Sequence, residues 1–221
     1  MREMHHSRWS KIGTALAVSS ALGLMSGMSV ANDKLVELSK SNENWVMQGK
    51  DFSGTHYSTA KQINKDNVKK LRPSWSFSTG VLNGHEGAPL VVDGTMFIHT
   101  PFPNNTFAID LDEPGVIKWE HKPKQDPAAR AVACCDVVNR GLAYWPGDDK
   151  APAMIVKSLL DGHVVALNAE TGEEYWKVEN GDISVGQTET AAPFVAKDLV
   201  IQGSSGAELG VRGYVTAYDI H

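Results

Sequence analysis

Cysteine is nearly missing from this sequence of 221 residues, which has two, Cys134 and Cys135, side by side. Two cysteines exclude the small scaffolds that depend on several disulfide bridges. Basic residues are too few to indicate a nucleic-acid partner, because 21 Lys and Arg stand against 26 Asp and Glu without a basic stripe. A second His at zinc-ligand spacing is lacking around "GHEG" (84–87), so a zinc site is not expected there.

Long apolar runs are also scarce. The run "IGTALAVSSALGLMSGM" is broken by Gly and Ser, follows a basic start and ends near the small residues "SVA". We interpret residues 1–31 as a secretory signal peptide cleaved before Asn32, with a membrane anchor as the alternative. Removal of its three cations and one anion takes the formal charge from -5 to -7. The exported remainder, 32–221, would lie in a compartment where disulfides persist.

What the sequence does contain is a repeat. "FAIDLDEPGVIKWEH" (107–121) resembles "VALNAETGEEYWKVE" (165–179), and both have Ala, then Asp or Asn two residues later, then Gly and Trp. A third copy begins at "VTAYDIH" (215–221), and "APLVVDGTMFIH" (88–99) resembles "APFVAKDLVIQG" (192–203). Each repeat therefore predicts strand, turn, strand, a Gly turn and a strand that ends on Trp.

This periodicity predicts an all-β protein, a β-propeller with a Trp ring buried between neighbouring blades. The alternative is a set of unrelated hairpins in a β-sandwich. At about 40–50 residues per blade, 32–221 provides three to four blades, which we interpret as the N-terminal, incomplete part of a larger propeller. Residues 33–45 predict a short helix, and 64–71 predict a helical turn with Asn64 as N-cap.

Three segments carry candidate chemistry. A bridge between Cys134 and Cys135 would close a strained ring, since adjacent Cα atoms lie about 3.8 Å apart and disulfides usually span about 4.4–6.8 Å. Such a ring suits stacking on a planar ligand; two ordinary thiols are the alternative. In "GSSGAELG" (203–210), backbone N–H groups suit an anion and Glu208 suits Ca²⁺, although most Gly/Ser loops are only turns. Glu86 precedes a repeat strand and is placed to reach the central channel.

These segments, in this order, resemble the large-subunit family of quinoprotein methanol dehydrogenases of the calcium type. The resemblance rests on "FSTGVLNGHEGAPLVVDG", "PKQDPAARAVACCDVVNRGLAYWPGD" and "GSSGAELGVRGYVTAYD" and covers nearly all of 32–221. It implies an eight-bladed propeller that binds pyrroloquinoline quinone (PQQ) and Ca²⁺. It also implies a Cys134–Cys135 disulfide stacked on the quinone and Glu208 as a metal ligand. The polar groups of the quinone would contact Glu86, Arg140, Thr190, Ser205, Gly206 and Ala207.

The resemblance further implies a periplasmic enzyme that oxidises methanol and other primary alcohols by hydride transfer to the quinone. Electrons would pass to a c-type cytochrome, and a small lysine-rich subunit in an α2β2 assembly would suit the acidic charge. The family's catalytic Asp lies beyond residue 221, so we expect these 221 residues alone to be inactive. The alternatives are a non-catalytic propeller scaffold, a dehydrogenase for another alcohol, and a lanthanide in place of calcium. Neither a membrane span nor a nucleic-acid partner is expected.

Overall fold

The computed structural model describes residues 32–133 and 136–221; the predicted signal peptide lies outside the described residues. In that part of the chain the strands form three antiparallel sheets, which confirms the predicted all-β propeller blades. The first sheet contains β1 Leu90–Val92, β2 Thr95–His99, β3 Thr106–Asp110 and β4 Ile117–His121. The second contains β5 Ala143–Trp145, β6 Met154–Ser158, β7 His163–Asn168 and β8 Glu174–Glu179. The third contains β9 Phe194–Ala196, β10 Leu199–Gly203 and β11 Val215–Asp219.

The helical elements are short. Helix α1 runs from Asp33 to Lys40, with Asn32 as its N-cap accepting from the Leu35 N–H at 3.1 Å, and α2 is Ala129–Val132. The remaining turns are 3₁₀ segments, Val68–Lys70, Ile183–Val185 and Ala207–Leu209. The predicted helical turn is thus shorter than 64–71. Asn64 is not its N-cap, because the Asn64 side chain accepts from the Asp66 N–H and forms a turn before the 3₁₀ segment. No helix among the described residues is long and apolar enough to cross a bilayer.

The repeat seen in the sequence is also a repeat of strand register. Ala108 pairs with Trp119 across β3 and β4, and Ala166 pairs with Trp176 across β7 and β8. Both ladders shift register directly after the Ala, as a β-bulge does. The turn that follows is one residue longer in the first sheet, since Gly115 is seven residues after Ala108 and Gly172 is six after Ala166.

Each repeat Trp is docked on the next blade. The Trp119 indole N–H donates to the Ala169 carbonyl at 3.0 Å, and the Trp176 indole N–H donates to the Ile220 carbonyl at 2.7 Å. Gly172 lies under the Trp119 ring with φ +76°, and a Cβ at Gly172 would stand 2.6 Å from that ring. Glycine is therefore required both for the left-handed turn and for the stacking. These contacts confirm the prediction that the Trp rings pack between neighbouring blades.

The core runs between the sheets, and it is densest in the second one. Every residue of Met154–Ser158 is buried, and Trp145 is fully buried between the second and third sheets, where its indole N–H donates to Asp198 Oδ1 at 3.3 Å. The third sheet alternates exposed and half-buried residues along β11. Leu35 of α1 joins the same core, so the N-terminal helix packs on the blades.

The first strands of the three sheets lie next to one another and start at the same end. Ala88 and Gly141, two residues before β1 and β5, form a parallel bridge. The Arg140 N–H donates to the Thr190 carbonyl at 3.0 Å, which joins the residues before β5 to those before β9. Since β10 is antiparallel to β9, the residues after β10 return to this end too. This end of the blades collects four loop segments.

Candidate functional site

Arg140 is the centre of the contacts at this end. Its Nε lies 3.4 Å from Glu86 Oε2, and its Nη1 donates to Thr190 Oγ1 at 3.1 Å. The Arg140 and Glu86 side chains are about half exposed, at 45% and 49%. Because Glu86, Arg140 and Thr190 precede β1, β5 and β9 respectively, one guanidinium connects three blades.

The backbone under this guanidinium is fixed on both sides. The Arg140 carbonyl accepts from Gln48 Nε2 at 2.8 Å. The preceding Asn139 is buried, and its amide donates to the Ser158 carbonyl at 3.0 Å while its Oδ1 accepts from the Gly141 N–H at 3.0 Å. The backbone of Arg140 is therefore held in place, and its guanidinium is held by Glu86 and Thr190. A positive charge that is already oriented in this way suits binding of a carboxylated ligand.

The loop after β10 is attached to the same end through Thr188. The Ser205 N–H donates to the Thr188 carbonyl at 3.0 Å, and the Ser205 and Thr188 hydroxyl oxygens are 2.8 Å apart. Gly206 has φ +115°, and a Cβ there would stand 2.3 Å from the Gly186 carbonyl oxygen. The close approach of two backbones therefore requires glycine at 206.

Beyond Gly206, the 3₁₀ turn Ala207–Leu209 ends at Gly210 in the left-handed conformation. Ala207 and Glu208 are exposed on this turn. Among residues 32–133 and 136–221, no group of three or more His, Cys, Asp and Glu side chains is arranged to hold a metal ion. Within the described chain, Glu208 therefore offers a single carboxylate, and a carboxylate oxygen is a ligand that suits a hard cation such as Ca²⁺.

Seven of the nine residues predicted as site residues are thus connected. Arg140 contacts both Glu86 and Thr190, and Thr188, two residues before Thr190, binds the loop with the remaining four, Ser205, Gly206, Ala207 and Glu208. The other two, Cys134 and Cys135, lie outside the described residues. The site offers hydrogen-bond donors from the Arg140 guanidinium, from Thr and Ser hydroxyls and from the backbone of the loop after β10. The exposed Glu208 carboxylate lies next to them on that loop. This chemistry fits a planar, polycarboxylated cofactor together with a hard metal ion.

Sequence reasoning missed three residues that organise the site. Asp136, directly after the cysteines, accepts from Asn83 Nδ2 at 3.1 Å and from the Gly84 N–H at 3.2 Å, which ties its segment to the loop before Glu86. Thr188 holds Ser205, as described. The letters "TET" (188–190) do not indicate that the middle residue is buried.

The third missed residue is this buried Glu189. Its Oε1 accepts from Asn180 Nδ2 at 2.6 Å and its Oε2 accepts from Gln202 Nε2 at 2.7 Å. Both donors favour the ionised carboxylate, but loss of water around it has the larger effect. Burial therefore raises the pKa of Glu189 to about 7.

Comparisons with known proteins agree with this geometry. The family described as "PQQ: Glucose/ethanol/alcohol dehydrogenase, beta-propeller domain" matches residues 45–221. Methanol dehydrogenase (cytochrome c) subunit 1 of Methylobacterium organophilum is 69% identical over 97% of this chain, which corresponds to 34% of that relative. A lanthanide-dependent methanol dehydrogenase of Methylacidiphilum fumariolicum is 50% identical over 96% of the chain and 34% of the relative.

Among solved structures, a europium-containing methanol dehydrogenase superposes with a TM-score of 0.81 at 53% identity. The superposition covers 86% of this chain and 32% of that one. The chain thus spans about a third of the length of the relatives it matches. On this match and on the Trp-docked blades, the chain belongs to the PQQ-dependent alcohol dehydrogenase β-propeller family, in which it resembles the methanol dehydrogenase large subunits.

Proposed function

We propose that the native protein that carries this sequence is a PQQ-dependent dehydrogenase that oxidises methanol and other primary alcohols to aldehydes. The observation that supports this most is the chain of contacts from Glu86 through Arg140 to Thr190, continued by Thr188 to the Ser205 loop. Blade packing alone would not require a half-exposed guanidinium shared by three blades. Residues 32–221 then form the N-terminal part of the catalytic propeller, and the catalytic Asp is expected beyond residue 221.

In this proposal the residues of the chain bind and orient the cofactor. Arg140 pairs with a quinone carboxylate, since a guanidinium offers two parallel N–H groups to one carboxylate. Glu86 and Thr190 fix the direction of that guanidinium, and Ser205, Gly206 and Ala207 offer polar contacts from the loop. A disulfide between Cys134 and Cys135, as the resemblance implies, would cover one face of the quinone. When bound, the quinone and its metal supply a hydride acceptor whose carbonyl is polarised by the cation.

We infer that Glu208 is a ligand of this cation and that the cation is calcium. The exposed position of Glu208 on a 3₁₀ turn next to Ser205–Ala207 supports a role shared with the cofactor. The loop "GSSGAELG" favours calcium, because lanthanide-type relatives tend to have a "GISGGEFG"-like loop. Relatives of this chain include an enzyme named as lanthanide-dependent, so the metal is tested directly in the experiment below.

The proposal extends to location and partners. Residues 1–31 would direct export to the periplasm, where a disulfide between Cys134 and Cys135 can persist. Electrons would pass to a c-type cytochrome, and a small lysine-rich subunit would complete an α2β2 assembly. The formal charge of 32–221 supports a basic partner, since complementary charge speeds association.

The metal assignment can be tested with Glu208→Gln in the native protein. Gln keeps the size of the side chain but removes its charge, so we expect the affinity for Ca²⁺ to fall at least about tenfold. The measurement is a titration of metal-free protein with Ca²⁺ and, separately, with a lanthanide ion. Glu170→Gln, an exposed Glu in the outer turn after β7, is the matched control and should bind calcium as the unmodified protein does. An unchanged Ca²⁺ affinity in Glu208→Gln would remove Glu208 from the metal site.

A further inference from the structure

Glu189 lies directly behind the residues that hold the proposed cofactor. The flanking Thr188 and Thr190 direct their hydroxyls to Ser205 and to Arg140. Glu189 is 0% exposed, as Thr188 is, but its carboxylate has other partners, Asn180 and Gln202. A carboxylate fully buried in this position needs partners, because an ionised group without them is costly to bury. The hydrogen-bond partners of the Glu189 carboxylate therefore indicate which parts of the protein it connects.

The carboxylate of Glu189 joins two sheets. Asn180, which donates to Oε1 at 2.6 Å, directly follows β8 of the second sheet, and Gln202, which donates to Oε2 at 2.7 Å, belongs to β10 of the third. Two tyrosines complete the network, since the Tyr218 hydroxyl donates to Asn180 Oδ1 at 2.5 Å and the Tyr214 hydroxyl donates to the Asn180 carbonyl. The segment 188–190 is thus attached to the end of β8, to β10 and, through Tyr218, to β11.

We propose that Glu189 is a positioning residue for the cofactor: its carboxylate fixes segment 188–190, so that the Thr188 and Thr190 hydroxyls hold Ser205 and Arg140 in the orientation that binds the quinone. This inference rests on the proposed function, because it assigns a role toward the same cofactor. Glu189 acts only through its neighbours.

The network also makes this positioning sensitive to protonation. Both groups that face the Glu189 oxygens are amide donors, and only the ionised carboxylate offers each of them a strong acceptor oxygen. Protonation turns one oxygen into a donor that faces another donor. Rotating the Gln202 amide would offer the new proton its Oε1, which has no hydrogen-bond partner among the described residues, but it would break the bond from Gln202 Nε2 to the Gly203 carbonyl. Protonation therefore loosens one of the two attachments.

The pH range follows from the surroundings of the group. The titratable groups that face Glu189 are Tyr214 and Tyr218, whose own pKa values are raised mainly by burial and also by the Glu189 charge. Neither tyrosine ionises near neutrality, and the pKa of Glu189 is raised to about 7 by burial. The segment should be held firmly above that pH and less firmly below it.

The experiment measures release of PQQ from the native holoprotein between pH 5.5 and 8.5, followed by the loss of bound-quinone absorbance after dilution. In the unmodified protein we expect release to be about tenfold faster below the transition near pH 7 than above it. Glu189→Gln carries a permanent amide donor, so it should release quinone at the fast rate at every pH. Glu179→Gln, the exposed neighbour at the end of β8, is the matched control and should keep the unmodified profile.

The outcomes separate the two proposals. If the unmodified protein holds quinone but Glu189→Gln releases it with the unmodified rate and pH profile, the positioning role is wrong and the proposed function stands. A protein that takes up no quinone at any pH overturns both. If Glu189→Gln does not fold, the unmodified profile still decides the matter, because a release rate that is flat from pH 5.5 to 8.5 contradicts the role of Glu189.

Discussion

The outer turns of the blades and the inner ends of their first strands follow different rules. On the outer turns, equivalent positions have the same chemistry: Trp119 docks on Ala169 as Trp176 docks on Ile220. At the inner ends, equivalent positions differ, since Glu86, Asn139 and Thr190 each stand four residues before the first strand residue of their sheet. Packing repeats, and the candidate site is built where the repeat is broken.

This difference teaches where to look for function in a repeated fold. A blade buries its face only against its neighbours, so the packing residues must recur in every blade. A single cofactor, by contrast, needs a different group from each blade that it touches. We therefore expect changes on the outer turns to alter stability with little effect on quinone affinity, and changes at the inner ends to do the reverse.

The largest effect is expected from Trp119→Ala. This change removes a buried ring from the stack on Gly172 and leaves the Ala169 carbonyl without its donor, so the free energy of unfolding should fall by about 3–5 kcal/mol. Trp119→Phe, which keeps most of the ring and loses the N–H, should cost about 1 kcal/mol. Denaturant unfolding of the native protein measures both. Equal losses for the two variants would show that ring packing is not what the docking supplies.

A smaller difference separates two equivalent glycines. Gly115 and Gly172 both have positive φ, +96° and +76°, but a Cβ at Gly172 meets the Trp119 ring, whereas no described heavy atom lies within 4 Å of a Cβ at Gly115. Gly115→Ala should therefore cost about 1–2 kcal/mol from backbone strain alone. Gly172→Ala should cost about 1–3 kcal/mol more because of the overlap with the ring. Thermal unfolding of the pair measures the difference, and equal losses would contradict the stacking explanation.

Arg140→Lys tests the opposite side of the comparison, with the smallest effect on stability. A lysine ammonium is a single point charge and cannot contact Glu86 and Thr190 while also pairing with a carboxylate in a planar fork. Release of PQQ from the holoprotein should become about tenfold faster, while the unfolding midpoint changes little. Arg72→Lys, an exposed Arg far along the chain from the site, is the control. Unaltered quinone retention in Arg140→Lys would exclude this contact.

The parts of the molecule that repeat are the parts that sequence reasoning predicted well. The spacing of Ala, Asp or Asn, Gly and Trp indicated the outer strands of the first two sheets, and the paired segments 88–99 and 192–203 indicated the first two strands of the first and third sheets. The region around Asn64 was interpreted wrongly in detail, since an Asn can start a turn as readily as it can cap a helix.

The site was only partly predictable, for a physical reason. Glu86, Arg140 and Glu208 are exposed polar residues, and the resemblance to a known family pointed to them. The roles of Thr188 and Glu189 depend on a bridge to Ser205 and on burial between two sheets, which are properties of the folded backbone. Nothing in the letters "TET" distinguishes a buried Glu from an exposed one.

The docking of each Trp on the following blade has a consequence for how the chain acquires its structure. A chain is synthesised from its N-terminus, so Trp119 is present before Ala169 and Gly172. The Ala169 carbonyl, which accepts from the Trp119 indole, comes 50 residues later. Until then the indole ring faces water, and the first blade lacks the contacts of Trp119 with Ala169 and Gly172. The first and second sheets are each completed by the sheet that follows, so the sheet formed last exposes its Trp ring until the next one docks, and an exposed apolar ring favours association with other chains.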